Sequence, residues 1–318
     1  MLSRRSILAA PLGLLPLGAS AQDRFAAFLT ELRAEAERGG VRASTVDAAL
    51  AGLQPLQHVL DLQNRQPEAV LTWAQYRTLV LPQSRLDGAR AAFANDAALL
   101  RQVADSYNAD PRVVVGIWGL ESGFGAHTGS TRVVESLVTL AYAGRRAAFF
   151  HGELLAALRI LDAGDIGVHQ MTGSWAGAMG QPQFMPSSYL RFAVDANNDG
   201  RRDIWADRAD VFGSIANYLG RSGWRSGEPW CQPITVPGGD LGRTGHDAFR
   251  TLAAWQDAGV RRIDGRRFSR TDVQGGVLQP DGAGGEAFMV YHNFNVIRRY
   301  NSPDNYALAV GLLGNAAA

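Results

Sequence analysis

Glu121 closes a short apolar stretch, Val113-Val114-Val115-Gly116-Ile117-Trp118-Gly119-Leu120-Glu121-Ser122-Gly123-Phe124-Gly125. Asp110 followed by Pro111 reads as an N-cap and first helical position, and Gly123 and Gly125 read as helix breakers, so the glutamate falls in the last turn. Val114, Ile117, Trp118 and Glu121 recur at helical spacing, which puts the acid on the face expected to be buried. A buried carboxylate at a helix C-terminus resists ionisation through desolvation and through the partial negative charge of the terminal carbonyls. Such a group keeps a proton near neutral pH and can donate it, which is the work of a general acid. The plainer reading is a rim glutamate in solvent or paired with an arginine, and the stretch alone does not choose between the two.

A second stretch with chemical potential is Ser174-Trp175-Ala176-Gly177-Ala178-Met179-Gly180-Gln181-Pro182-Gln183-Phe184-Met185-Pro186-Ser187-Ser188-Tyr189. Its small residues allow close backbone approach, and its interleaved Trp, Met, Gln, Phe and Tyr side chains suit sugar faces and amide groups. A tight helix crossing over core Phe184 and Met185 would explain part of it, but not two glutamines flanking a proline. A third stretch, Asp195-Ala196-Asn197-Asn198-Asp199-Gly200-Arg201-Arg202-Asp203-Ile204-Trp205-Ala206-Asp207, places Asp, Asn, Asp and Gly at positions one, three, five and six of an EF-hand loop. The bidentate glutamate of position twelve is missing, because Ala206 stands there; Asp203 at position nine, or Asp207 after a local shift, is the substitute. The competing reading is an Asx-rich turn around a left-handed Gly200 with no ion. Arg145-Arg146 is either a carboxylate-binding pair or two solvated arginines. Tyr300-Asn301-Ser302 either lines a cleft or caps the helix that follows. The histidines lack metal-ligand spacing, and no nucleophilic Ser/His/Asp or cysteine arrangement is visible.

The elements that must carry these groups are mostly helical. From Asp23 to about Ala98 the chain is rich in Ala, Leu, Gln and Arg, with a helix start at Ser44-Thr45-Val46-Asp47. Helices separated by Gly-rich turns continue to Gly223. Beyond Trp224, prolines and glycines break the pattern, and Ile234-Thr235-Val236, Gly276-Val277-Leu278 and Ala287 to Tyr291 read as strands, with a helix over Asp247 to Ala258 and a Gly-rich turn at Asp281 to Gly285. Phe294 to Leu313 reads as helix again.

The first residues, Met1-Leu2-Ser3-Arg4-Arg5-Ser6-Ile7-Leu8, an apolar run to Leu17 and Ala19-Ser20-Ala21, form an export signal with an A-x-A cleavage pattern. The paired arginines fit the twin-arginine route and also occur in ordinary secretory signals. Cys231 is the single cysteine, so neither a lipid-acceptor cysteine at the cleavage site nor an internal disulfide is expected. The formal charge of the 318 residues is +1, and removing Arg4 and Arg5 with the signal brings it to about −1. That balance does not describe a nucleic-acid binder. Lysine is absent, which reads chiefly as the coding bias of a GC-rich genome, although the planar guanidinium fork would also suit an anionic sugar polymer. The expected mature product is a monomer in the periplasm without a transmembrane helix.

The three motifs, in this order and spacing, resemble the lytic murein transglycosylase B family, glycoside hydrolase family 103. The resemblance is strong over about Asp105 to Gly223 and weaker over the N-terminal helices and Phe294 to Leu313. It implies a mainly α (α+β) fold: signal peptide 1–21, helical N-terminal subdomain 22–98, lysozyme-like catalytic core 99–229, small β-containing subdomain 230–291, and a C-terminal helix 292–318 returning to the core. It implies cleavage of the MurNAc-β-1,4-GlcNAc bond of peptidoglycan glycan strands, with Glu121 first as acid and then as base, giving a 1,6-anhydro end without water. Ser174 and Gln183 match family positions that touch substrate; Arg145, Arg146, Tyr218, Tyr300 and Asn301 match groove positions. The loop Asp195, Asn197, Asp199, Arg201 and Asp203 matches the family's metal loop and implies a structural Ca²⁺ or Na⁺, with no cofactor needed for catalysis. Two rivals stay open, a lysozyme-type hydrolase and a noncatalytic peptidoglycan-binding scaffold.

Overall fold

The computed structural model describes residues 20–65 and 71–317. The export signal over residues 1–21 therefore lies almost wholly outside the described residues. Among the described residues, no helix is long and apolar enough to cross a membrane.

Among the described residues, six helices precede the one that carries Glu121: α1 (Ala21–Arg38), α2 (Ala43–Leu50), α3 (Gln57–Asn64), α4 (Trp73–Val80), α5 (Gln83–Asn95) and α6 (Ala97–Ser106). The chain continues through α7 (Pro111–Ser122), β1 (Thr131–Arg132), α8 (Val133–Ala143), α9 (Ala147–Ala163), β2 (Thr172–Gly173), α10 (Pro186–Phe192) and α11 (Arg208–Arg221). The strand-bearing part holds β3 (Cys231–Thr235), β4 (Arg250–Thr251), α12 (Leu252–Asp257), β5 (Arg261–Arg262), β6 (Gln274–Leu278) and β7 (Ala287–Val290), and α13 (His292–Tyr300) and α14 (Asp304–Ala317) complete the chain. The result is a mainly helical protein with a small β subdomain, whose sheet runs β4-β6-β7-β3-β5.

Three expected boundaries move. The helix expected over Asp247 to Ala258 shortens to α12, because Arg250 and Thr251 pair with Gly275 and Gln274 and Thr251 then caps the helix. Phe294 to Leu313 divides into α13 and α14 around Pro303, as proline disfavours helical geometry in the residue before it. The helix expected to start at Ser44 begins one residue earlier, with Arg42 as N-cap, and the Thr45 hydroxyl donates to Asp162 instead of capping.

Apolar packing gathers into three clusters. One joins Trp73, Ala89 and Leu100 with α7, α11, α13 and α14. A second joins Phe25, Leu32, Val46 and Val59 with α8, α9, α10 and the segment around Met179. The third is the interior of the β subdomain, around Trp255, Val277 and Met289. Segment 22–98 thus divides its apolar faces between two cores.

The crossing of α7 and α14 fixes the helix that carries Glu121. A methyl group on Gly116 would lie 2.2 Å from the Val310 carbonyl oxygen, and one on Gly314 would lie 2.4 Å from the Arg112 carbonyl oxygen. Only glycine lets these backbones approach so closely.

Candidate active site

Helix α7 begins as its sequence dictates. Asp110 accepts a hydrogen bond from the Arg112 N–H, Pro111 holds the first position, and Gly123 ends the helix in the left-handed region at φ 58°. Val113 to Gly119 are all buried, so the helix is enclosed until its last turn. Glu121 retains part of its surface, but its carboxyl is enclosed. Burial pushes its pKa up from 4.5 to about 7, against the opposing hydrogen bond that its Oε1 accepts from the Tyr306 hydroxyl at 2.6 Å. A carboxyl in that state is half-protonated at neutral pH, as a group that both donates and recovers a proton should be.

One tyrosine touches it, and two more feel its charge. Tyr306 on α14 donates directly, and burial followed by the Glu121 charge holds its own phenol well above the ordinary range. Tyr300 at the end of α13 and Tyr76 on α4 are raised by the same two causes in the same order. Tyr76 and Tyr306 were missed by sequence reasoning. Tyr306 lies 185 residues from its partner, and nothing local in the C-terminal helix marks it as an active-site residue.

The segment leaving Glu121 is clamped against the Ser174 to Tyr189 stretch. A Cβ on Gly129 would lie 2.1 Å from the Gly173 carbonyl oxygen, and one on Gly125 would lie 2.6 Å from Gln181 Oε1. The Trp118 indole donates to Gln181 Oε1 at 2.7 Å, and Gln181 Nε2 donates to the Trp205 carbonyl at 2.9 Å. β1 pairs antiparallel with β2, and bridges from Gly173 to Met179 and from Met179 to Phe184 extend this into a small sheet beside the catalytic helix. In place of the helix crossing of the competing reading stands a set of turns, in which Ser174 Oγ accepts from the N–H groups of Ala176 and Ala178. Gln183, at φ 53°, donates through Nε2 to the carbonyls of Thr128 and Gly180. The two glutamines flanking Pro182 therefore tie the stretch to both sides of the site.

Tyr218 and Tyr300 are brought together, with ring centroids 4.6 Å apart, and both stand near Phe184. The Tyr300 hydroxyl donates to the Pro182 carbonyl at 2.6 Å, and the Tyr218 hydroxyl donates to the Arg299 carbonyl. Asn301 follows Tyr300 as an exposed residue ending α13. Arg145 and Arg146 belong to a different neighbourhood. Arg145 donates from its backbone and guanidinium to Gln63 at the end of α3, and the Arg146 guanidinium lies 4.2 Å from the Phe149 ring centroid.

The Asp195 to Asp207 loop is held by its own Asx turns. Asp195 accepts from the N–H groups of Asp199 and Gly200, Asn197 from Asp199, Asp199 from Arg201, and Asp203 from Trp205 and Ala206. Buried Asp210 accepts from Ala196 and Asp203 and so pins both ends of the loop; burial pushes its pKa up to about 6. Among the described residues, no three His, Cys, Asp or Glu converge as a metal-holding group. The donor chemistry nevertheless fits a hard cation, with only oxygen ligands on alternate positions. Asp207 caps α11 through Oδ1, and its Oδ2 accepts from Asn197 Nδ2 at 2.9 Å, so a carboxylate does reach back to the loop where Ala206 supplies none.

A helical core presenting an enclosed, proton-holding glutamic acid beside a small sheet and clustered aromatic rings is an arrangement able to deliver a proton to a bound glycan. Comparison with known proteins gives the family. The transglycosylase SLT domain model matches residues 24–315, and the chain belongs to that family and is a lytic transglycosylase. It is 32% identical over 248 residues to the membrane-bound lytic murein transglycosylase B of Escherichia coli K12, covering 77% of this chain and 67% of that protein. The crystal structure of SltB3 from Pseudomonas aeruginosa in complex with NAG-anhNAM-pentapeptide superposes with a TM-score of 0.89 at 42% identity, over 92% of this chain and 79% of that one. The Escherichia coli lytic transglycosylase SLT35 in complex with calcium superposes with a TM-score of 0.78 at 29% identity, over 92% of each chain.

Proposed function

We propose that this enzyme cleaves the MurNAc-β-1,4-GlcNAc bond of peptidoglycan in the periplasm without consuming water. Glu121 protonates the glycosidic oxygen as the bond to muramoyl C1 breaks. The carboxylate so formed takes the proton of the muramoyl C6 hydroxyl while that oxygen bonds to C1, which closes a 1,6-anhydro ring and restores the acid. Ser174, whose oxygen accepts two backbone hydrogen bonds, keeps its hydroxyl proton free to donate to the substrate acetamido group. Gln183, Tyr218, Tyr300 and Asn301 line the groove, and Arg145 and Arg146 serve a more distant stretch of the strand.

The observation that carries this reading is the state of the Glu121 carboxyl, raised by burial and touched by the Tyr306 hydroxyl, with no second acid among the causes of its shift. A hydrolase needs a second carboxylate about 5 to 9.5 Å from the acid. The two acids nearest in sequence on the following helices are committed elsewhere: Glu135 is paired with Arg132, and buried Glu153 accepts from the N–H and hydroxyl of Ser187 at the start of α10. An SltB3 complex holding an anhydro muropeptide supports the same product. The export signal over residues 1–21 supports the periplasm. Asp195, Asn197, Asp199, the Arg201 carbonyl and Asp203 would hold a structural Ca²⁺, as a relative's calcium complex suggests. Glu121→Gln should abolish product formation while the protein still binds sacculi; turnover at the wild-type rate would remove Glu121 from the mechanism.

A further inference from the structure

Two carboxylates at the tip of the β subdomain serve no part of the chemistry described so far, yet both are spent on a helix outside it. The turn 279–286 between β6 and β7 reaches to the start of α4. Asp281 accepts from the backbone N–H groups of Trp73 at 2.5 Å and Ala74 at 3.0 Å, while the local capping box of Thr72 and Gln75 satisfies the adjacent donors. Glu286 accepts from the Trp73 indole Nε1 at 2.6 Å and pairs with Arg77 at 2.5 Å. The Trp73 ring, 1% exposed, stands edge-on to Phe288 of β7 with centroids 6.3 Å apart.

Helix α4 depends on this support. It has eight residues, and Trp73 is the one fully buried among them. A helix of two turns is unstable by itself, so its position is set by what holds it. Three residues after Trp73 comes Tyr76, the α4 side chain that meets the field of Glu121. We propose that the turn 279–286 is a clasp seating α4 against α14, and that Asp281 and Glu286 are positioning residues acting through Trp73 and Tyr76 on the helix that carries Tyr306, and so on the surroundings of Glu121. This rests on Glu121 being the proton donor.

The titratable groups that feel the Glu121 charge are Tyr76 from α4, Tyr300 from α13 and Tyr306 from α14, the last in direct contact, with Arg85 of α5 acting on Tyr76. Releasing the clasp withdraws one of these walls and admits water to the carboxyl, which then ionises more readily. The test is a ¹³C NMR titration of Glu121 in the full chain, alongside the pH profile of kcat/KM, for Asp281→Ala, Glu286→Ala and the pair. The midpoint should fall from about 7 to about 6 or below, leaving about fivefold less of the acid form at pH 7. Asp281→Asn and Glu286→Gln, which keep an acceptor oxygen, should restore most of it. In a Tyr76→Ala background the clasp variants should shift the midpoint no further. A wild-type Glu121 midpoint in the alanine variants, whatever happens to melting temperature or turnover, would make the turn merely structural and overturn the proposal, as would full additivity with Tyr76→Ala. If the double variant does not fold, Asp281→Ala alone decides, since the α4 capping box is intact in it. The titration needs no turnover, so a failure of the proposed reaction would be seen separately, in Glu121→Gln.

Discussion

Replacing Glu121 by glutamine should make the protein more stable at alkaline pH and leave it nearly unchanged in acid. Glutamine keeps the shape of the side chain and the oxygen that Tyr306 donates to, and it removes only the ability to ionise. In the folded protein burial holds the Glu121 proton up to about 7, whereas an ordinary glutamate loses it near 4.5. Between those two pH values the folded chain binds more protons than the unfolded one, so the wild type loses stability as pH rises across the window. The full difference is about 3 kcal/mol, an upper value because the residue keeps some solvent contact. It is nearly absent at pH 4 and complete by pH 8. For a chain of this size it corresponds to a gain of about 5 °C in melting temperature for the variant at pH 8. Calorimetric scans of both proteins at pH 4, 6 and 8 read it directly. A melting-temperature difference that is equal at pH 4 and pH 8, or a variant less stable at pH 8, would refute the claim that burial holds this proton.

Three further outcomes follow from the same geometry. Tyr306→Phe removes a hydrogen bond that favours the Glu121 carboxylate, so the Glu121 midpoint should rise above about 7, by about 1 to 2 pH units if a hydrogen bond to a charged group is worth about 1.5–3 kcal/mol; NMR titration checks it, and an unchanged or lower midpoint contradicts it. Gly116→Ala places a methyl group against the Val310 carbonyl oxygen at 2.2 Å, so chemical denaturation should show a loss of about 1–3 kcal/mol despite the better helix propensity of alanine. Millimolar Ca²⁺ should raise the melting temperature, by an amount equivalent to about 2.7 kcal/mol at a hundredfold excess over Kd, and Asp195→Ala should erase the effect; an unshifted wild type would leave the loop as a bare Asx turn.

The catalytic helix was readable because its signals are local. Asp110, Pro111 and Gly123 mark its ends, and the spacing of Val114, Ile117, Trp118 and Glu121 marks its buried face. The strands β3, β6 and β7 were likewise readable from short apolar runs between breakers. What the sequence could not disclose is what crosses the fold. Tyr306 reaches Glu121 from the last helix of the chain, and the close approach of α7 and α14 depends on glycines that carry no pairing information. Arg250 and Thr251 left the helix expected around them because strand pairing with β6 outweighed a local pattern that was apolar enough for either state. The glutamines around Pro182 stood out as a pair, but only the folded chain separates the one that braces Trp118 from the one that ties down the Thr128 loop.

The most direct test of the central claim is mass spectrometry of sacculi digested by the purified enzyme in H₂¹⁸O. The account predicts muropeptides ending in 1,6-anhydro-muramic acid with no ¹⁸O incorporated at C1. Reducing muramic ends carrying ¹⁸O, formed in place of the anhydro products, would contradict it and would mean that water, not the muramoyl C6 hydroxyl, completes the reaction begun by Glu121.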